Sequence, residues 1–103
     1  MKHPKEYLKK AHDACFENKK QILESNQVGC FYCKRIYPAK DVVEEDYVQD
    51  KNGETAMCPH CDIDSVIGDA SGYNITTDFL EDMHEMWFMR TTTLEEYKKK
   101  FNL

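Results

Sequence analysis

Four cysteines fall in two pairs of identical spacing, Cys30-Phe31-Tyr32-Cys33 and Cys58-Pro59-His60-Cys61, with 24 residues between the pairs. Two residues between two thiols let both sulfurs turn to one side of a tight loop. Two such loops brought face to face offer four thiolates at the corners of a tetrahedron, the donor set and geometry that best suit Zn²⁺. Iron accepts the same ligands. Four ligands close the coordination shell and leave no position for water or substrate. The metal that Cys30, Cys33, Cys58 and Cys61 would hold is therefore expected to be structural, supplying folding free energy rather than a reaction.

Other chemistry fits these residues less well. A redox Cys-x-x-Cys needs one pair at a helix start near a βαβ alternation, and this chain has two pairs and no such alternation. His60, inside the second pair, is read as solvent-facing because Cys58 and Cys61 already have ligand spacing. His84 is read as a surface or half-buried side chain, and His3 and His12 lack a partner motif. A zinc-stabilised nuclease of the HNH type would need a water-activating histidine and a further metal ligand, and the sequence around His60 and His84 does not match that pattern. Cys15 is read as a small buried hydrophobe on a helix. Asp62, Asp64, Ser65 and Asp69 crowd the stretch after the second pair. Turn and cap chemistry accounts for them; a polar site using Asp64 and Asp69 is the enzymatic alternative.

The elements that must position the cysteines are legible in part. From Pro4, a first-turn helix residue, to about Glu24 the pattern is helical, with Leu8, Ala11, Cys15 and Ile22 on one stripe and Tyr7, Ala14 and Leu23 beside it. Residues 25–29 then end the helix and open a loop. Residues 34–38 are short and extended at best, stopped by Pro38, and Val42-Val43 is a short strand or turn. Residues 46–49 read as a strand, Asn52-Gly53 as a hairpin turn, and residues 55–57 as the return strand that delivers Cys58. Residues 69–74 look like a loop. Thr76, Thr77 and Asp78 are N-cap candidates for a helix over 78–89 that is rich in Met and aromatic residues. That apolar segment is read first as core, with a docking or dimer face as the alternative. Thr93 and Glu96 form a capping box for a last short helix over 94–101.

Composition narrows the function classes. The chain has 103 residues, 41% apolar and 32% charged, and its 12% of aromatics argue for a folded core rather than disorder. At this length one domain is expected, and small domains often recruit a metal. The formal charge is −5 and uneven: residues 1–24 carry +2, residues 25–70 carry −5 and residues 71–103 carry −2. The cysteine-bearing segment is thus the most acidic. Proteins that grip nucleic acid through phosphates carry a basic face, so general DNA or RNA binding is disfavoured. The charged N-terminal stretch does not read as a secretory signal, and no run approaches a membrane span. A cytoplasmic location is expected, where paired cysteines read as metal ligands before disulfides.

These residues resemble the zinc-ribbon superfamily, in which a β-hairpin and two cysteine knuckles enclose the metal and Pro is common inside the second knuckle. More narrowly, Cys58-Pro59-His60-Cys61-Asp62-Ile63-Asp64-Ser65-Val66-Ile67-Gly68-Asp69, with Ser71-Gly72-Tyr73 and Trp87-Phe88 beyond it, resembles a family of small bacterial cytoplasmic proteins that brings no settled activity with it. One departure from common ribbons concerns the residue after each knuckle. It is often Gly, which tolerates positive φ; here it is Lys34 and Asp62. The expected fold is α+β: an N-terminal helix (1–27), a zinc ribbon (28–67), then a loop and one or two C-terminal helices (68–103), in a single domain. The expected function is that of a zinc-binding module that docks a protein partner or a second copy of itself.

Overall fold

The computed structural model describes residues 2–89. The final helix expected over 94–101 lies outside them. Among the described residues the architecture is α+β, with antiparallel strands and three α-helices. The elements are α1 (Lys5–His12), α2 (Lys19–Glu24), β1 (Gln27–Cys30), β2 (Ile36–Pro38), β3 (Tyr47–Gln49), β4 (Glu54–Ala56), β5 (Val66–Gly68) and α3 (Thr77–His84). β1 is the centre of a three-stranded sheet ordered β2-β1-β5, and β3 pairs with β4. No helix among the described residues is long and apolar enough to cross a membrane.

The three-stranded sheet divides the interior in two. Side chains alternate across a strand, and here the alternation sorts them between two cores. Val28, Cys30 and Val66 join Ile22, Tyr37, Val42, Ala56 and Cys58 on one side. Ile67 and Phe31 join Leu8, Ala11, Cys15, Phe79, Leu80 and Met83 on the other. The side holding the paired cysteines and the helical side therefore share one thin wall. Gly29 pairs with Ile67 in that wall, and α3 lies directly on it. A Cβ at Gly29 would stand 2.7 Å from Ile75 Cγ2 and 2.9 Å from Leu80 Cδ1. Here the glycine is needed for close approach rather than for an unusual dihedral.

The helix expected over the first 24 residues is interrupted. α1 passes into a 3₁₀ turn at Asp13–Cys15, Phe16 is extended, and Glu17 takes φ 50° before α2 begins. Contacts with the β3–β4 hairpin explain the break. The Glu17 N–H donates to Thr55 Oγ1 (2.8 Å), and the Glu17 carboxylate accepts from the Asn52 N–H. Asn18, 3% exposed, donates through Nδ2 to the carbonyls of Val66 (2.8 Å) and Ala14 (3.1 Å) and accepts the Ala56 N–H on Oδ1 (3.0 Å). One side-chain amide thus ties β4 to β5 and so joins the two sheets. The stripe Leu8, Ala11, Cys15 and Ile22 is buried as expected, while Leu23 is 68% exposed.

Two strands stand where the sequence suggested only connections. Residues 25–29 were expected as loop, yet Gln27–Cys30 is the central strand, and Val66–Gly68 pairs with it. A four-residue segment holding a glycine and two residues of one core carries too little periodicity to reveal itself. The β3–β4 hairpin forms where expected, closed by the Asp50 N–H donating to the Gly53 carbonyl (2.7 Å). Thr76 caps α3, accepting the Phe79 N–H at 3.1 Å. The helix expected over 78–89 is α-helical only to His84 and continues as a wider π turn over Glu85–Met89. That turn sets the Trp87 ring against His12 (centroids 4.0 Å) and the Phe88 ring against Phe31 (5.7 Å) and Tyr32 (4.9 Å). The N-terminus is pinned to α3 through Asp82, whose Oδ2 accepts from the backbone N–H of Lys2 and His3 (both 2.8 Å) and lies 2.7 Å from His3 Nδ1.

Candidate metal centre

Each cysteine pair sits in a turn of the same construction. In the first, which joins β1 to β2, the Lys34 N–H donates to the Cys30 carbonyl (2.7 Å) and the Cys30 N–H donates to the Arg35 carbonyl (3.0 Å). In the second, after β4, the Asp62 N–H donates to the Cys58 carbonyl (2.8 Å) and the Cys58 N–H donates to the Ile63 carbonyl (2.9 Å). Lys34 and Asp62 have φ of 63° and 60°. The left-handed residue that a glycine often supplies after a knuckle is thus present in both, built from lysine and aspartate. The first knuckle is tied through Phe31 to the segment after the second knuckle and to α3. The Phe31 N–H donates to the Ser65 carbonyl (3.0 Å), and His84 Nδ1 lies 3.0 Å from the Phe31 carbonyl.

This construction brings the four sulfurs of Cys30, Cys33, Cys58 and Cys61 within 4.8 Å of one another. Cys30 and Cys61 are 3.6 Å apart, Cys33 and Cys58 3.9 Å. A metal with bonds of about 2.3 Å to four tetrahedral sulfurs requires sulfurs about 3.8 Å apart, so the spacing fits such an ion. All four cysteines are free thiols. The donor set is a four-thiolate one that could hold zinc or iron. Cys30 and Cys58 are wholly buried, and Cys33 and Cys61 are half-buried. The first cysteine of each pair is therefore the inner thiol and the second the outer one.

Electrostatics cuts across that division. Burial pushes the Cys30 thiol up, against the opposing pull of the Cys33 and Tyr32 amides, and burial also pushes Cys61 up to about 11. A thiol in a low-dielectric pocket resists ionisation unless a cation or donors compensate. At Cys58 the donors prevail over burial. The Tyr37 hydroxyl donates to its sulfur (3.3 Å), the amides of His60 and Cys61 face it, and its pKa falls below the ordinary thiol value.

The remaining candidates are placed elsewhere. His60 is exposed and outside the sulfur cluster, its ring edge-on to Tyr37 with centroids 4.9 Å apart. Cys15 is 1% exposed, donates to the His12 carbonyl (2.9 Å) and is pushed up to about 12, chiefly by burial. That describes an unreactive core thiol. The loop over 62–69 resolves into structural duties. Asp62 carries the left-handed turn, Ser65 is buried and its carbonyl holds Phe31, and both carboxylate oxygens of Asp69 accept backbone N–H groups of Asn26 (3.0 Å) and Gln27 (3.1 Å). Asp64 is exposed. Sequence reasoning missed Tyr37. A tyrosine seven residues past Cys30 is indistinguishable in sequence from any strand aromatic.

Comparison of the chain with family models, with curated proteins and with solved structures gives no match. What the chain shares with zinc-ribbon-like proteins rests on its four clustered cysteines.

Proposed function

We propose that this chain is a cytoplasmic zinc-ribbon module whose closed four-cysteine centre holds together a surface for docking another protein or a second copy of itself. The observation that carries the metal assignment is the cluster of four sulfurs within 4.8 Å, supplied by two turns of matching backbone geometry. Zinc is the assigned ion because four soft thiolates in tetrahedral array suit it and it needs no redox partner. With all four positions filled by protein, the metal's contribution is to folding. The docking role draws on the exposed Tyr32 at the first knuckle, on Ile36 and Val48 in edge strands, and on the acidity of residues 25–70, which disfavours a phosphate backbone as partner.

The metal reading is tested by elemental analysis of protein purified without added metal, with about one zinc per chain expected. Cys58→Ser should lose the metal together with cooperative unfolding. Metal-free protein that unfolds as cooperatively as the metal-loaded form would overturn the structural role. The docking reading is tested by sedimentation of the zinc-loaded chain, alone and with nucleic acid at low salt. Tight association with nucleic acid would displace the protein-docking assignment.

A further inference from the structure

We propose that Tyr37 is a positioning residue of the metal centre, its hydroxyl making Cys58 the anchoring ligand while the Cys33–Cys61 edge is where the metal enters and leaves. The inference rests on the reading of the four cysteines as a metal centre and deepens it.

Tyr37 lies on β2, the strand that returns from the first knuckle, and is paired with Val28 of β1. From there its hydroxyl reaches the second knuckle and meets Cys58 Sγ at 3.3 Å. The contact therefore links the two halves of the site through a ligand atom. The ring is 6% exposed, and His60 packs edge-on against it at 4.9 Å. The hydroxyl is consequently held in place. A phenol O–H can only donate to a metal-bound thiolate, which has no proton to give. Such a charge-assisted bond is stronger than one to a neutral thiol, so it favours the metal-loaded form. Outer-shell donors of this kind fix ligand orientation and tune metal affinity.

The sulfurs are not equivalent in exposure. Cys58 and Cys30 are fully buried, whereas Cys33 and Cys61 are half-buried. A competing chelator meets the outer pair first. With Cys58 anchored, the last bond to break on release is expected on the inner side.

The test compares wild type with Tyr37→Phe, which keeps the ring and removes the hydroxyl, and with Tyr47→Phe, which removes a buried hydroxyl that bonds no sulfur. Zinc release to excess chelator should be roughly 10-fold faster in Tyr37→Phe and unchanged in Tyr47→Phe. Cobalt-substituted Tyr37→Phe should show its sulfur-to-metal charge-transfer bands at longer wavelength, because an unbonded thiolate is more electron-rich. A purely structural tyrosine would not move those bands. Unchanged release and unchanged bands, in a variant that binds metal, would overturn the inference and leave the metal centre standing. If Tyr37→Phe fails to fold, NMR of wild-type protein loaded with NMR-active cadmium decides. A slowly exchanging Tyr37 hydroxyl proton coupled to the cadmium supports the bond, and the absence of that coupling overturns it. Wild type that takes up no metal would remove the underlying reading as well, and metal analysis would reveal that before any variant is compared.

Discussion

Lys34 and Asp62 occupy the same left-handed backbone conformation, φ 63° and 60°, each directly after the second cysteine of its knuckle and each donating its N–H to the carbonyl of the first cysteine. The left-handed region costs an L-residue about 1–2 kcal/mol, less for aspartate, whose short polar side chain tolerates it. The strain at Lys34 is compensated by the turn it closes. Lys34→Gly should therefore stabilise the metal-loaded protein by about 1 kcal/mol, net of the extra freedom glycine gives the unfolded chain. Asp62→Gly should change stability less. Denaturant titration of the two variants checks this, and a loss of stability in Lys34→Gly would contradict it.

Gly29 makes the wall between the two cores thin. Gly29→Ala would press a methyl onto Ile75 and Leu80, both within 3.0 Å of the new atom. Overpacking of this sort costs typically 1–3 kcal/mol. The midpoint of chemical unfolding should fall accordingly, and Gly29→Ala combined with Leu80→Val should recover part of the loss. Full tolerance of alanine would show that α3 can move off the sheet.

Much of this architecture was legible, and the exceptions share a cause. Periodicity revealed the buried stripe from Leu8 to Ile22 because the side chains recur on one face. It could not reveal that Glu17 breaks the helix, since the partners that draw it aside, Thr55 and Asn52, are more than thirty residues away. The clustering of Cys30, Cys33, Cys58 and Cys61 was legible because the spacing within each pair is a local property. Tyr37 was not, because its role depends on which sulfur the opposite knuckle delivers. β1 and β5 escaped notice because three- and four-residue strands are defined by pairing partners rather than by pattern.

Asn18 is the joint between the sheets, with its amide spent on Val66, Ala14 and Ala56. Asn18→Ala would leave the Ala56 N–H and the Val66 carbonyl buried without that partner. At about 1–3 kcal/mol for each of the two unsatisfied groups, a loss of roughly 2–6 kcal/mol is expected. Asn18→Asp should be comparably harmful, because a carboxylate would face two carbonyls that need a donor. Thermal unfolding of the two variants measures this; an aspartate variant as stable as wild type would show that the amide donor is not what joins the sheets.

Cys15 should be the last thiol to react. The residue is 1% exposed and burial pushes its thiol up to about 12, so little thiolate forms at neutral pH. Folded protein with its metal retained, exposed to an alkylating reagent, should be modified first at Cys33 and Cys61, the half-buried pair. Cys15 should be modified only on global unfolding. Mass spectrometry of partially labelled protein gives the order, and early labelling of Cys15 would mean that the helical core opens on its own.

Acid should weaken the fold in two separate windows. His12 is held below its ordinary value of 6.5, by burial first, against the opposing pull of Asp13 and Asp64. Its unfolded form therefore binds a proton more readily than its folded form. Stability is fully present above about pH 6.5 and falls as pH drops from there toward the folded-state value. Asp82 is also lowered. Burial, which would raise it, is outweighed by the hydrogen bonds from His3 and Lys2. Its contribution is present above its ordinary value of 3.8 and is lost as pH falls through the lower folded value. The upper window can be isolated with His12→Phe, which keeps a ring against Trp87 and removes the titration. Urea unfolding at pH 7.5 and 5.5, at matched metal loading, should show a smaller stability loss in the variant than in wild type. Equal losses would place the pH dependence in that range on groups other than His12.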